Sequence, residues 1–166
     1  MSVSYEWRGR FGNVEIHALH AEAFATRVFD ESEWDWVAQV EQHSLGWVVA
    51  RQRPSGREID GRERRASDDE YASHAGDQRG WSDDGALAGF ANVLWDGLVH
   101  AWLQDVMVAE SARHLGIGRE LVSRARDGAA EAGCEYLHVD FEAHLAPFYV
   151  DACGFEPTSA GLLRLQ

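Results

Sequence analysis

The residues best suited to chemistry stand together in Arg113-His114-Leu115-Gly116-Ile117-Gly118, just ahead of a helical pattern that runs from about Ile117 to Ala132. Glycine lets a ligand approach the backbone with no Cβ in the way. The first N–H groups of a helix have no partner inside it, and the positive end of the helix dipole favours an anion. Arg113 adds a formal charge suited to phosphate. Together these predict an anion site, and a pyrophosphate is the ligand that suits it. Two ligand classes compete for such a site. A dinucleotide fold places Gly-x-Gly-x-x-Gly directly after a strand, with an acid at the end of the next strand. Asp140 does stand at the end of the next strand pattern, but Leu121 fills the third glycine position and seven residues separate Val108 from Gly116. The tight turn of that fold is missing. What remains is Arg-x-x-Gly-x-Gly, its first glycine eight residues after a strand-final valine.

That loop resembles the signature of the GNAT family of N-acetyltransferases, with Arg113, Gly116 and Gly118 at its defining positions. Phe148-Tyr149 and Gly154-Phe155 extend the likeness. They look like the family's fourth helix and the Gly-Phe that leads into its last strands. The resemblance implies an α/β fold: a mixed, mostly antiparallel sheet of about six or seven strands flanked by about four helices, splayed between the fourth and fifth strands. It also implies acetyl-CoA as donor, attacked directly by a primary amine in a ternary complex. The amides of His114, Leu115, Gly116, Ile117, Gly118 and Arg119, with Arg113, would hold the pyrophosphate. The backbone of Val106, Met107 and Val108 would pair with the pantetheine arm like an added strand. An N–H near Val108 would stabilise the developing oxyanion. Many members dimerise, which leaves a homodimer open.

Acetyl transfer needs a neutral nucleophile and a proton for the departing thiolate. A tyrosine, with a pKa of about 10, can supply that proton. The resemblance casts Tyr149 in this role. The family's usual spacing from this tyrosine to the Gly-Phe glycine is four residues, whereas Tyr149 to Gly154 is five. Either a bulged helix turn absorbs the extra residue, or Tyr149 points into the core. The base is less defined. On the fourth strand, Trp102 and Gln104 cannot accept a proton usefully, and strand alternation sends Asp105 to the opposite face. That leaves His138, Asp140 and Glu142, and the last two are the candidates to test. A chain without a base on that strand also admits a different class, a non-catalytic acyl-CoA-binding module. Cys153 reads as a small buried hydrophobe. His17 and His20 have no cysteine or carboxylate set around them, so no metal is expected.

Regular elements must position these groups. Val3, Tyr5 and Trp7 alternate as in a first strand. Asn13 is placed to cap a helix carrying Ile16, Leu19, Ala23 and Phe24, and Ser32 to open a second with Trp36, Val37 and Val40. Trp47–Ala50 reads as a short strand. Leu87–Trp95 and Val99–Val108 read as a hairpin around Asp96-Gly97. Gly133 ends the helix that follows the glycine loop, and Tyr136–Phe141 reads as a fifth strand. In the family the first two helices bound the acceptor pocket, so Trp34, Trp36, Trp95 and Trp102 could line it and Glu31, Glu33 and Asp35 could attract an amine.

Composition narrows the remainder. The 166 residues suit one domain spanning 1–166, interrupted at about 54–84 by a stretch of charge and glycine too polar to offset its ordering entropy, read as a mobile insertion. A net charge of −13 argues against nucleic acid and against an anionic membrane surface, and tilts the choice toward a cationic acceptor. The acceptor class is a small-molecule or peptide amine. All basic residues are arginine, so no lysine can form a Schiff base. Two cysteines, no signal-peptide pattern and no apolar run of membrane length point to the cytoplasm.

Overall fold

The computed structural model describes residues 2–53 and 85–165, so the charged stretch expected to be a mobile insertion lies outside the described residues. The strands are β1 (Ser2–Trp7), β2 (Gly46–Arg53), β3 (Ala86–Trp95), β4 (His100–Val108) and β5 (Tyr136–Val139). They line up in chain order, antiparallel except for the final parallel pair β4–β5. The central strands β2 and β3 are apolar without alternation because both faces of the sheet are covered. On one side Val48, Ala91, Val93 and Leu103 pack against Leu121, Ala125 and Ala129 of α3 (Ile117–Glu131). On the other, Val49, Phe90 and Met107 pack against Ile16 and Leu19 of α1 (Asn13–Phe24) and Trp36 and Val40 of α2 (Trp36–His43). Close contact of α3 with the sheet depends on Gly128, where a Cβ would stand 2.6 Å from the Trp7 indole.

Two helix starts differ from the sequence reading. α2 opens at Trp36, not near Ser32, because Ser32 is taken up with Asp30, to which both its N–H and its hydroxyl donate. The α2 cap is Asp35, which accepts from the Ala38 N–H at 3.0 Å. Asn13 lies inside α1, behind Gly12, and its amide donates to Glu31 and Asp35 at 2.9 Å each.

The expectation of six or seven strands is corrected to five among the described residues. Residues 156–165, where further strands were expected, carry none. Pro157 has no N–H for a ladder, and Thr158-Ser159-Ala160-Gly161 has little apolar surface to bury. The β4–β5 ladder is also short, running only from His100↔Tyr136 to Leu103↔Val139. Beyond it β4 continues to Val108 while the other strand stops, and the chain leaves the sheet at Asp140.

Two elements contain one residue too many for their period. In β4, Phe90 faces Met107 and Asn92 faces Gln104, so Ala91 alone spans both Asp105 and Val106, a β-bulge. Asp105 absorbs it with a φ of +51°. After β5, Pro147–Ala152 is a π-helical turn, closed by the Cys153 N–H donating to the Phe148 carbonyl at 3.0 Å. A bulged turn is one of the two ways in which the five-residue spacing could be accommodated, and it is the one present.

Candidate active site

Where β4 and β5 part, a cavity of about 980 Å³ opens between the start of α3, the π-helical turn and the end of α1. One part of its lining is built by the glycine loop. Gly116 is the residue before the helix, at φ +80° with no side-chain cap, so the amides of the first α3 turn stay free. A Cβ on Gly116 would touch nothing within 4 Å, which makes its backbone angle the reason for glycine there. Gly118 has a different reason. A Cβ on it would come within 3.2 Å of the Phe148 ring and 3.6 Å of Val108. Arg113 and Arg119 both line the cavity beside these amides. The Arg113 guanidinium lies 3.5 Å from Glu110 and reaches the Val108 carbonyl at 3.4 Å. Its charge is therefore held next to the loop rather than spent in a buried pair.

Of the donor residues read from the sequence, Val106, Val108, His114 and Ile117 line the cavity along with both glycines and both arginines. Met107 and Leu115 do not. The Met107 side chain is buried under α1 and α2, and Leu115 points outward, so each can contribute its backbone alone. A pyrophosphate fits what is present: unpartnered helix amides, a glycine that keeps their approach open, and two arginines.

The lining also carries carboxylates. Asp140 and Glu142 line the cavity and are solvent-exposed. Asp105 lines it too, half-buried. Burial pushes the Asp105 carboxyl above the usual carboxylate range, against the opposing pull of an Asn92 hydrogen bond and the charge of His20. Burial holds the His20 imidazole below its ordinary value. Tyr149 is buried on the facing wall, its ring stacked on Phe141 at 4.9 Å and edge-on to Phe148 at 4.8 Å. Its phenol is pushed up to about 12, chiefly by burial. The wall is closed by Ala23, Phe24 and Ala25 at the end of α1, which is tied to the loop after β4 by the Glu110 N–H donating to the Glu22 carboxylate.

The cavity thus brings together Tyr149, Asp140, Glu142 and the glycine loop, and adds Asp105, which alternation assigns to the wrong face. The bulge shifts the strand's phase by one. Ala101 and Leu103 face α3 before it, and Met107 faces α1 and α2 after it. A signal was available: a carboxylate at a position that alternation sends into the core, the kind of local conflict that marks a working residue. The tryptophan and acidic groups expected to form the acceptor pocket are elsewhere. Trp36 is fully buried with Trp34 stacked on it at 4.3 Å, and neither they nor Trp95 and Trp102 line the cavity. Glu31 and Asp35 hold Asn13, and Glu33 is paired with Arg27 at 2.5 Å, which draws its carboxyl down to about 2. His138 stacks on Trp102 at 5.1 Å and lies 2.8 Å from His100, outside the cavity. Among the described residues no three His, Cys, Asp or Glu side chains gather to hold a metal, and no helix is long and apolar enough to cross a membrane.

A sheet covered on both faces, with an uncapped helix start opening into the gap where its parallel strands part, defines the cleft. The family model of the acetyltransferase (GNAT) family matches residues 33–155, and the chain belongs to that family. Solved structures agree in fold. An acetyltransferase of Trypanosoma brucei superposes with a TM-score of 0.65 at 15% identity over 99% of both chains. The glucosamine-6-phosphate N-acetyltransferase of Arabidopsis thaliana gives 0.63 at 14% identity over 97% of both. AAC(6')-Iy, solved with a bisubstrate analog of CoA and acetylneamine, gives 0.64 at 15% identity over 100% of this chain and 99% of its own. No curated protein matches the chain in sequence.

Proposed function

We propose that this acetyltransferase moves an acetyl group from acetyl-CoA to a primary amine on a small-molecule or peptide acceptor, by direct attack in a ternary complex. The observation that carries this reading is that one cavity is lined both by arginines with free helix amides and by carboxylates. Free helix amides, Arg113 and Arg119 form one part of its lining, the donor end in this reading, and Asp105, Asp140 and Glu142 another, the acceptor end. The first end suits a pyrophosphate and the second an ammonium group. The similar aminoglycoside and amino-sugar enzymes accord with an amine acceptor.

In this reading Asp105 takes a proton from the acceptor ammonium. Its raised proton affinity suits it to do so better than the exposed Asp140 and Glu142, which draw the cation in. The neutral amine attacks the thioester carbonyl. The C–N bond forms as the C–S bond breaks, and a backbone N–H near Val108 stabilises the oxygen's developing charge. The sulfur takes its proton from Tyr149, whose phenol is fully protonated at neutral pH. The surplus proton on the new amide nitrogen restores it, so each turnover releases one proton. The notion of a non-catalytic binding module rests on a fourth strand without a base, and Asp105 removes that ground. The test is an amine library with CoA release as readout. Turnover with cationic amines supports the reading. Tight CoA binding with no turnover on any amine sinks it.

A further inference from the structure

Asn92 is the single polar residue in the buried run Ala88–Val93 of β3, and only 1% of it is exposed. A carboxamide in a central strand has poor strand propensity and costs free energy unless fully hydrogen-bonded. Its partners account for its presence. Ser44, the residue that ends α2, donates its hydroxyl to the Asn92 Oδ1 at 2.6 Å. With the carbonyl oxygen so engaged, the amide orientation is fixed and the NH2 end is left to donate. The Asp105 carboxyl senses that NH2 end, which lowers its proton affinity against burial. Asn92 stands opposite Gln104 in the ladder, next to the bulge that turns Asp105 into the cavity.

We propose that Ser44 and Asn92 are positioning residues, a buried relay beside the bulge that orients the Asp105 carboxylate into the cavity. The proposal rests on the reading of Asp105 as the base. An NH2 donor stabilises the charged carboxylate, so it opposes burial and keeps the base ionised at lower pH than burial alone would allow. The other titratable and charged groups around Asp105 are His20 on α1, backed by His17, and the cavity-lining Asp140, Glu142, Tyr149, Arg113, His114, Arg119 and His144. Of these groups and the relay, Asn92 is the one whose hydrogen bonding opposes the burial of the carboxyl.

The test compares S44A, S44T and N92L with the parent, reading the carboxyl titration of Asp105 by carbon-detected NMR in the ligand-free protein and the pH profile of kcat/KM. N92L removes the donor with little change of volume. S44A frees the amide to turn, and S44T keeps the hydroxyl. The expected result is a titration of Asp105 moved to higher pH in N92L and, by less, in S44A, with the acid limb of kcat/KM moving the same way. The kcat of S44A should fall about fivefold, the worth of one neutral hydrogen bond, with the KM for acetyl-CoA unmoved and S44T restoring the parent. An Asp105 titration unchanged in both N92L and S44A would overturn the relay, whatever the activities. A moved titration in a parent that acetylates no amine keeps the relay and overturns the acetyl-transfer reading.

Discussion

The two ends of the cavity were built by different means. The donor end is a regular device: a glycine loop running into an uncapped helix, whose amides point where any helix start points them. The acceptor end is made of exceptions. Asp105 reaches it through a β-bulge, and Tyr149 through a π-helical turn, each an element with one residue beyond its period. An extra residue re-aims a side chain without moving the rest of the element. In β4 the phase change leaves Leu103 in one core and Met107 in the other, with the carboxylate between them. On the proposed function, binding falls to the regular part of the structure, and proton transfer to the two places where regularity is broken.

If that division is right, the largest losses of turnover come from the exceptions. D105N should lower kcat by about 10³-fold, within the 10²–10⁴ typical of a positioned acid or base, while CoA affinity stays at the parent level by calorimetry. Asparagine tolerates the positive φ of this position, so the bulge survives the change. The stability outcome has the opposite sign. Because burial raises the Asp105 pKa, its contribution favours folding only at acid pH and is lost as pH rises through the folded value. At neutral pH the variant should therefore melt higher than the parent, by about 2–4 °C for each kcal/mol relieved. A variant that keeps its turnover would return the base to Asp140 or Glu142.

Y149F comes next, with kcat reduced about 10²-fold and CoA binding again unchanged. Equal activity of parent and variant would make the π-helical turn a packing feature only.

The same division explains what could be read in the chain. Arg113, Gly116 and Gly118 announce themselves because their reasons are local: a free helix start, a left-handed backbone and a close approach to Phe148. Most of the sheet was legible too, since Phe90, Val93 and Leu103 are apolar where two covered faces need them. Asp105 was not, because counting by twos has no place for a bulge. The Trp34 and Glu33 region misled for a related reason. Aromatic and acidic side chains near a pocket in sequence space proved to satisfy each other, Trp34 on Trp36 and Glu33 on Arg27. The π-helical turn stands between these cases, because the spacing of Tyr149 and Gly154 counted out its extra residue while its geometry came from the fold.

At the donor end a single substitution should act on binding instead. In G118V the Cβ already crowds Phe148 at 3.2 Å, and the two methyls beyond it must enter either that contact or the seat of the anion. The Kd for CoA should rise at least about tenfold, or about 1.4 kcal/mol, with the Asp105 titration left where it is. Unaltered CoA affinity would place the pyrophosphate elsewhere and undo the division from the opposite side.

The smallest effect tests the Tyr149 environment without any substrate. Its phenol titrates at about 12 in the folded protein against 10.0 ordinarily, with burial the larger cause. Below pH 10 both folded and unfolded chains hold the proton, and the stability linked to it is fully present. Between pH 10 and about 12 the unfolded chain gives it up first, so stability falls as pH rises and the contribution is gone above the folded value. At about 1.4 kcal/mol per unit this is a modest slope, best seen as a difference. Tm measured from pH 8.5 to 11.5 should fall more steeply in the parent than in Y149F, since the other tyrosines are common to both and cancel. Parallel curves would mean the Tyr149 hydroxyl already meets water in the free protein, and then the π-helical turn exposes its acid to solvent instead of holding it dry for the departing sulfur.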